Sequence, residues 1–292
     1  MSDRYFSEDP VQGDKARLTG HEAHHLIHVM RAAPGTRVVL LDGSGAEFEA
    51  AVRHVARSEV ELAVLGRAEV DRELPVELVL GVSLPKGDRQ KWLVEKSVEL
   101  GVRRLVPLRT TRSVAQPGPR TVGRLRRAVI EASKQCGRNR LMEVAPAEDW
   151  TDWVAAGGDA ALRLLAHPGG QPAAPQGPAA EWPVGSQPAG PVLLAIGPEG
   201  GFTDDEATLA ADAGWQLVDL GPRILRIETA AIYLVAMVVA RVTRGGRESF
   251  SAKGACHMEN SSAEKDSRPL PRGPNSDAKG LAKNNLPIWG TY

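Results

Sequence analysis

Residues 192–206 read VLLAIGPEGGFTDDE, and they decide the fold class. Five apolar residues run straight into Gly197-Pro198-Glu199-Gly200-Gly201, and an acid-rich segment follows at once. This pattern predicts a buried strand, a loop at its carboxyl end and a helix directly behind. Thr203 and Glu206 stand in the Thr-x-x-Glu spacing of a capping box, which predicts the helix start. Three glycines let backbone amides approach a ligand closely, and open α/β sheets bind ligands at the carboxyl ends of their strands. The spacing is neither G-x-G-x-x-G nor G-x-x-x-x-G-K-[ST], so dinucleotide and nucleoside-triphosphate phosphate loops lose their main support. A tight βα turn with no ligand is the competing reading of the loop alone.

The next unit repeats the arrangement. WQLVDLG (215–221) reads as a strand, GPRILRIE (221–228) as a loop, and Glu228-Thr229 opens a last helix over 228–242. Arg223, Arg226 and Glu228 crowd into this loop beside apolar Ile224 and Leu225. Two consecutive strand ends with glycine loops, the second charged, make a candidate site. Upstream, strand-like 76–84, 104–108 and 160–168 alternate with helical patterns over 88–101 and 121–136, which argues a mostly parallel sheet with helices on both faces. The first 72 residues differ: TRVVLLDG (36–43), EFEAAVRHV (47–55) and VELAVLGRA (60–68) read as strands of a small β-barrel-like domain. The expected division is therefore a β domain over 1–72 and an α/β domain over 73–244. Within the latter, 168–191 is a Pro/Gly/Ala-rich insertion, and 245–292 reads as a disordered tail.

The 292 residues carry no formal net charge, so any nucleic-acid affinity must come from a local patch. One exists in the sequence: 103–140 hold eleven Arg/Lys against the single acid Glu131. Cys136 and Cys256 form no metal or disulfide pattern, and the polar N-terminus is no signal peptide. The longest strongly apolar run, 230–240, is too short to span a bilayer. A soluble cytoplasmic protein with no membrane partner is expected. His21-Glu22-Ala23-His24-His25 matches the zinc-hydrolase pattern H-E-x-x-H, with His28 and His54 as further ligands in principle. No third-ligand motif follows. Thr19-Gly20-His21-Glu22 has capping-box spacing, which gives Glu22 a structural task instead, so no metal is expected.

AIGPEGGFTDDE followed by LGPRILRIETA closely resembles the signature of the SPOUT-superfamily methyltransferases that modify N3 of a uridine in 16S ribosomal RNA. HHLIHVMR with LLDGSG is similar to that family's PUA-like domain. KGDRQKWLVEKSVELGVRRLVPLRTTRSV and EASKQCGRNR resemble its central motifs. The resemblance spans roughly 4–242. It implies a small PUA-like β-barrel domain and a parallel-sheet α/β domain with a deep trefoil knot, which periodicity by itself does not require. It also implies bound S-adenosyl-L-methionine, an obligate homodimer, and 16S rRNA of the small ribosomal subunit as partner.

Carried over residue by residue, Gly197 to Gly201, Leu220, Gly221, Ile224 and Leu225 would cradle the cofactor, with His167 at the same pocket. Arg226 is the candidate for stabilising negative charge on the uracil ring, and Glu228 and Glu199 for orienting the base or accepting its proton. Helix capping is the plain alternative for both acids. Arg31, Arg112, Arg124, Arg127 and Arg138 are the candidate RNA contacts. The family usually has Thr where this chain has Ile227. Two rivals stand beside this reading: a SPOUT enzyme with another target, such as a ribose 2′-hydroxyl, and a non-catalytic rRNA-binding assembly factor.

Overall fold

The computed structural model describes residues 3–114, 118–172 and 188–253. Its first sheet takes strands β1 (Arg4–Phe6), β2 (Lys15–Thr19), β3 (Arg37–Leu41), β4 (Ala46–Val55) and β5 (Glu59–Glu69). Their order is β1-β3-β4-β5-β2; β1 and β3 pair parallel and the other neighbours antiparallel. The path stays open from β1 to β2, so the sheet is a half-barrel, bent by two register shifts along β4 and β5. Ala46, Phe48, Ala50 and Val52 alternate along β4 and close a core with Tyr5, Leu18, Leu26, Leu40 and Leu62. Burial, together with the charges of Asp3 and Glu22, pushes the Tyr5 phenol up to about 12.

Helix α1 (Gly20–His24) passes directly into a single π turn over His25–Val29. The capping box expected at Thr19 and Glu22 does not form, for the Thr19 side chain makes no capping bond. Glu22 is buried and turned inward, where it accepts bonds from the Phe6 amide at 3.2 Å and from Lys134 Nζ at 2.7 Å. The reason is a stronger donor: a half-buried ammonium beside a carboxylate outweighs a terminal amide. Leu26 is buried in the core of the half-barrel, whereas Met30 is exposed.

The second sheet holds β6 (Leu78–Val82), β7 (Arg104–Arg109), β8 (Glu143–Val144), β9 (Glu148–Asp149), β10 (Leu162–Pro172), β11 (Val192–Ile196) and β12 (Gln216–Asp219). Six of them follow the order β12-β10-β11-β6-β7-β8, β9 adds to β7, and every pair is parallel. Helices α2 (Arg89–Glu99), α3 (Pro119–Cys136), α4 (Trp150–Ala156), α5 (Asp204–Asp212) and α6 (Ile227–Lys253) cover both faces. The strands state the faces by alternation. Leu78, Leu80 and Val82 of β6 and Val192, Leu194 and Ile196 of β11 join one core with α2, α3 and α6. Val79, Leu193 and Ala195 join a second with Trp150, Trp153 and Trp215, under α4 and α5.

Helix α6 continues to Lys253, past Gly245 where the tail was expected to begin. The rest of that tail, 254–292, and most of the insertion, 173–187, lie outside the described residues. No helix among the described residues is long and apolar enough to cross a membrane.

Polar contacts, part-buried or exposed, hold the half-barrel to the α/β part. Arg4 bonds Glu47 and Asn139, Arg72 bonds Glu47 and the Gly137 carbonyl, and Lys134 bonds Glu22. Burial pushes the Glu47 carboxyl up, but its bonds to Arg72, Arg4 and Asn139 outweigh this and hold it below the usual range. Removing Glu22 leaves the half-buried Lys134 with Glu131 alone and the Phe6 amide without its acceptor, which costs ~2–3 kcal/mol. Glu22→Ala is therefore expected to lower the melting temperature by roughly 4–12 °C in calorimetry. Glu22→Ala with Lys134→Met should cost less than the sum of the single changes.

Candidate active site

Adjacent parallel strands bring their carboxyl ends together at one edge of the second sheet. β12, β10, β11 and β6 are neighbours in that order. The segments that leave β12, β11 and β6 therefore carry Leu220-Gly221, Gly197–Gly201 and the approach to α2 at Arg89, while His167 lies within β10 itself. This is the edge at which α/β sheets bind ligands. Beyond Ala166, β10 shifts register against β12, so that both Ala166 and Gln171 align with Val218. A Cβ at Gly170 would lie 2.6 Å from the Leu217 carbonyl, so only glycine permits the two backbones to close around this bulge. His167 sits half-buried in the bulge.

The loop after β11 is fixed at both ends. The capping box expected for α5 is present: Thr203 accepts from the Glu206 amide, and Glu206 accepts from the Thr203 amide at 2.8 Å. Glu206 also accepts from the Thr111 amide at 2.7 Å, which ties the segment after β7 to the start of α5. Burial pushes its carboxyl up, yet the bonds from Thr111 and Thr203 prevail and hold it below its ordinary range. Arg112 donates to the Gly200 carbonyl at 2.7 Å, from the same segment. Gly201 and Gly221 have φ of +69° and +106°, and nothing lies within 4 Å of where a Cβ would stand at either. The space beside both Cα atoms is therefore open to a close-approaching ligand, while the two amides are already bonded, Gly201 to the Pro198 carbonyl and Gly221 to Asp219 Oδ1, both at 2.8 Å.

Of the other cradle residues, Pro198 is buried and Leu220 and Leu225 are half-buried, while Glu199 and Gly200 are exposed. Ile224 is 101% exposed, so within one chain it lines nothing. Arg226 is exposed and makes no ion pair among the described residues. Glu228, at the start of α6, is only 7% exposed, and its Oε2 has no hydrogen-bond partner among the described residues. Arg89, at the start of α2, stands 3.6 Å from Glu228 Oε2 and 3.7 Å from Glu199 Oε1. The sequence reading missed Arg89 because nothing in one helix pattern shows which loop its first residue will face. Ile227 is 3% exposed and packs in the core with Leu234 and Val235, so its side chain does not face the site.

The basic segment is changed most by folding. Arg138, taken as an RNA contact, is 3% exposed, paired with Glu73 and bonded to the Val98 and Val102 carbonyls. It is structural, because a buried guanidinium needs all its donors satisfied. Arg104, Arg109 and Lys134 are likewise paired, with acids that mostly lie outside the segment. Arg112 holds the Gly200 loop, and Arg124 bonds Gln90 at 3.1 Å. Arg127 and Arg120, on α3, are exposed with no ion pair among the described residues. Arg31 is exposed too, at φ 52°, a strained value for a residue with a side chain.

In the H-E-x-x-H stretch, His21, Glu22 and Glu131 have ligand atoms within 4.8 Å of one another. The Lys134 ammonium bonds both carboxylates and so supplies the positive charge there. His25 packs by Tyr5 instead, with ring centroids 5.9 Å apart, and His24 lies against His28.

A half-barrel sheet is thus joined to an all-parallel sheet, covered by helices, whose carboxyl edge carries glycine loops. An RNA methyltransferase domain matches residues 72–239, and an RNA methyltransferase PUA domain matches 18–65. The chain belongs to the RNA methyltransferase family, as the resemblance of its motifs implied. Among its relatives is the ribosomal RNA small subunit methyltransferase E of Synechocystis, 33% identical over 76% of this chain and 72% of the relative. The protein of that name from Bacillus subtilis is 29% identical over 80% of this chain and 95% of its own length. A solved structure of that enzyme from Neisseria gonorrhoeae, bound to S-adenosyl methionine, is 28% identical, with a TM-score of 0.72 over 84% of this chain and 98% of that one. A Legionella pneumophila structure with bound SAM gives 0.74 at 29% identity, over 82% and 98%.

The depressed Glu206 carboxyl makes a signed prediction. A group whose folded value lies below its unfolded one stabilises the fold above the unfolded value, and the benefit is lost as pH falls through the folded value. Glu206→Gln should therefore cost ~1–2 kcal/mol in denaturant unfolding at neutral pH. The difference from the unaltered protein should shrink in acid, below the ordinary glutamate range. An equal difference at both pH values would contradict the assignment.

Proposed function

We propose that this protein is an S-adenosylmethionine-dependent methyltransferase that acts on N3 of a uridine in 16S rRNA of the small ribosomal subunit. It would work as a homodimer in the cytoplasm, with its α/β chain threaded as a trefoil. The observation that carries the reading is Glu228, a buried carboxylate at the carboxyl edge that holds the glycine loops, whose Oε2 lacks a hydrogen-bond donor among the described residues. A ligand N–H is what such an oxygen requires, and the uridine N3–H is one. The strand order β12-β10-β11, in which the later strand crosses back beside β10, supports the threading. Ile224, wholly exposed at the site, supports a second copy that would cover it.

The residues present fit the cofactor. Gly197 to Gly201 and Gly221 offer backbone, and Leu220, Leu225 and Pro198 offer apolar surface. When bound, S-adenosylmethionine supplies an electrophilic methyl group on a good leaving group. The chain's own contribution is then mostly placement, with His167 and the glycine loops framing the pocket. Glu228 accepts the N3 proton, Arg226 stabilises the charge that develops on the ring, and Glu199 helps orient the base. Arg31, Arg120 and Arg127 hold phosphates; Arg124 adds to the patch beside its bond to Gln90. The hint of a non-catalytic factor loses force, since Ile227 is a core residue and its lack of a hydroxyl removes nothing from the site.

The test is transfer of methyl label to small ribosomal subunits, with N3-methyluridine mapped in the rRNA. The unaltered protein should bind S-adenosylmethionine and label one uridine, and Glu228→Gln should cut the rate sharply. Absence of both binding and transfer would defeat the reading. Arg120→Glu with Arg127→Glu should weaken rRNA binding and flatten its salt dependence by roughly one to two units of slope. An unchanged slope would place the RNA elsewhere.

A further inference from the structure

Among the described residues, Arg89 is the one cation that reaches two acids of the site, and those acids stand on different segments. Its guanidinium lies 3.6 Å from Glu228 at the head of α6 and 3.7 Å from Glu199 in the loop after β11. Both separations exceed ordinary hydrogen-bond reach. At that range the guanidinium attracts both carboxylates without taking up their lone pairs, and Glu228 Oε2 is left buried and without a donor among the described residues. The backbone that presents Arg89 is itself pinned. The next residue, Gln90, is buried, donates to the Pro85 carbonyl at 2.7 Å, and accepts from Arg124 of α3. The loop between β6 and α2 is thereby locked to α3, and the start of α2 is aimed across the carboxyl edge. A surface arginine placed for solubility would need none of this.

We infer that Arg89 is a positioning residue for methyl transfer, fixing the Glu228 carboxylate toward the reacting base while keeping Glu199 beside it. The inference rests on the proposed reading that Glu228 takes the N3 proton. Arg89 acts through Glu228 and makes no separate demand on the substrate. A guanidinium that spans two carboxylates is better suited to this than a point charge, though an ammonium retains the attraction.

Steady-state kinetics on small ribosomal subunits test it with the full chain. Arg89→Gln should lower kcat about tenfold or more and leave KM for S-adenosylmethionine and for the subunit within about twofold. Arg89→Lys should recover most of the lost kcat. Arg89→Gln combined with Glu228→Gln should be no slower than Glu228→Gln alone, since a residue acting through another adds nothing once that other is gone. Full additivity of the two changes, a raised KM with kcat intact, or a loss of folded protein that lysine does not repair would each overturn the inference. The two levels of the proposal fail differently. If Glu228→Gln transfers methyl at the full rate, the assignment of the base is wrong. If it is crippled and Arg89→Gln is not, Arg89 alone is misassigned.

Discussion

The parallel pairing of β6 with β11, from Leu78 opposite Val192 to Val82 opposite Ile196, is the constraint on which the rest of the molecule depends. Both strands are buried on both faces, so they can be covered only by helices on each side, and each must leave the sheet at the same edge. That edge gathers the β11 loop, the approach to α2 and, through β10 and β12, the last loop before α6. Shift β11 by one residue and Leu194 would exchange faces with Leu193 and Ala195. The glycines of the site would then have no common floor.

Where a signal is local, it was legible. The strand-loop-helix reading of 192–206 rested on apolar continuity, glycines and a capping pair three residues apart, and each of these appears in the structure. The same spacing at Thr19 and Glu22 misled, because a distant lysine competes for Glu22 and no local pattern reports on Lys134. Helix α4 went unread although Trp150, Trp153 and Val154 have helical spacing; its seven residues are too few for a periodicity to stand out. Arg89 was hidden for a related reason. Its helix could be read, but the loops it faces come from residues more than a hundred positions later in the chain.

Charge shows the same limit more sharply. Eleven cations against one acid over 103–140 reads as a continuous basic surface. Folding delivers Glu22, Glu73, Glu143, Glu148 and Asp149 to that segment, and much of the excess becomes internal pairing. Arg138 marks the extreme, a buried guanidinium that clamps the turn after α3 to Glu73 and to the carbonyls at the end of α2. What is left for a polyanion among the described residues is narrower: the exposed arginines of α3, Arg103 and Arg140 of the same segment, and the strained Arg31 between the π turn and β3. Segregation in sequence is thus an upper bound on segregation in space.

The H-E-x-x-H match and the glycine edge are the two places where chemistry could have been sited. The first dissolves into a domain contact in which Lys134 supplies the cation, His25 turns to Tyr5 and Glu22 braces β1. The second keeps open space beside Gly201 and Gly221 and, among the described residues, an unmatched carboxylate oxygen on Glu228. Amide hydrogen exchange of the full chain with and without S-adenosylmethionine decides between them directly. Protection should rise at 197–201 and 220–228 and stay unchanged across 20–31. Protection confined to 20–31, with the glycine edge unaffected, would contradict the account.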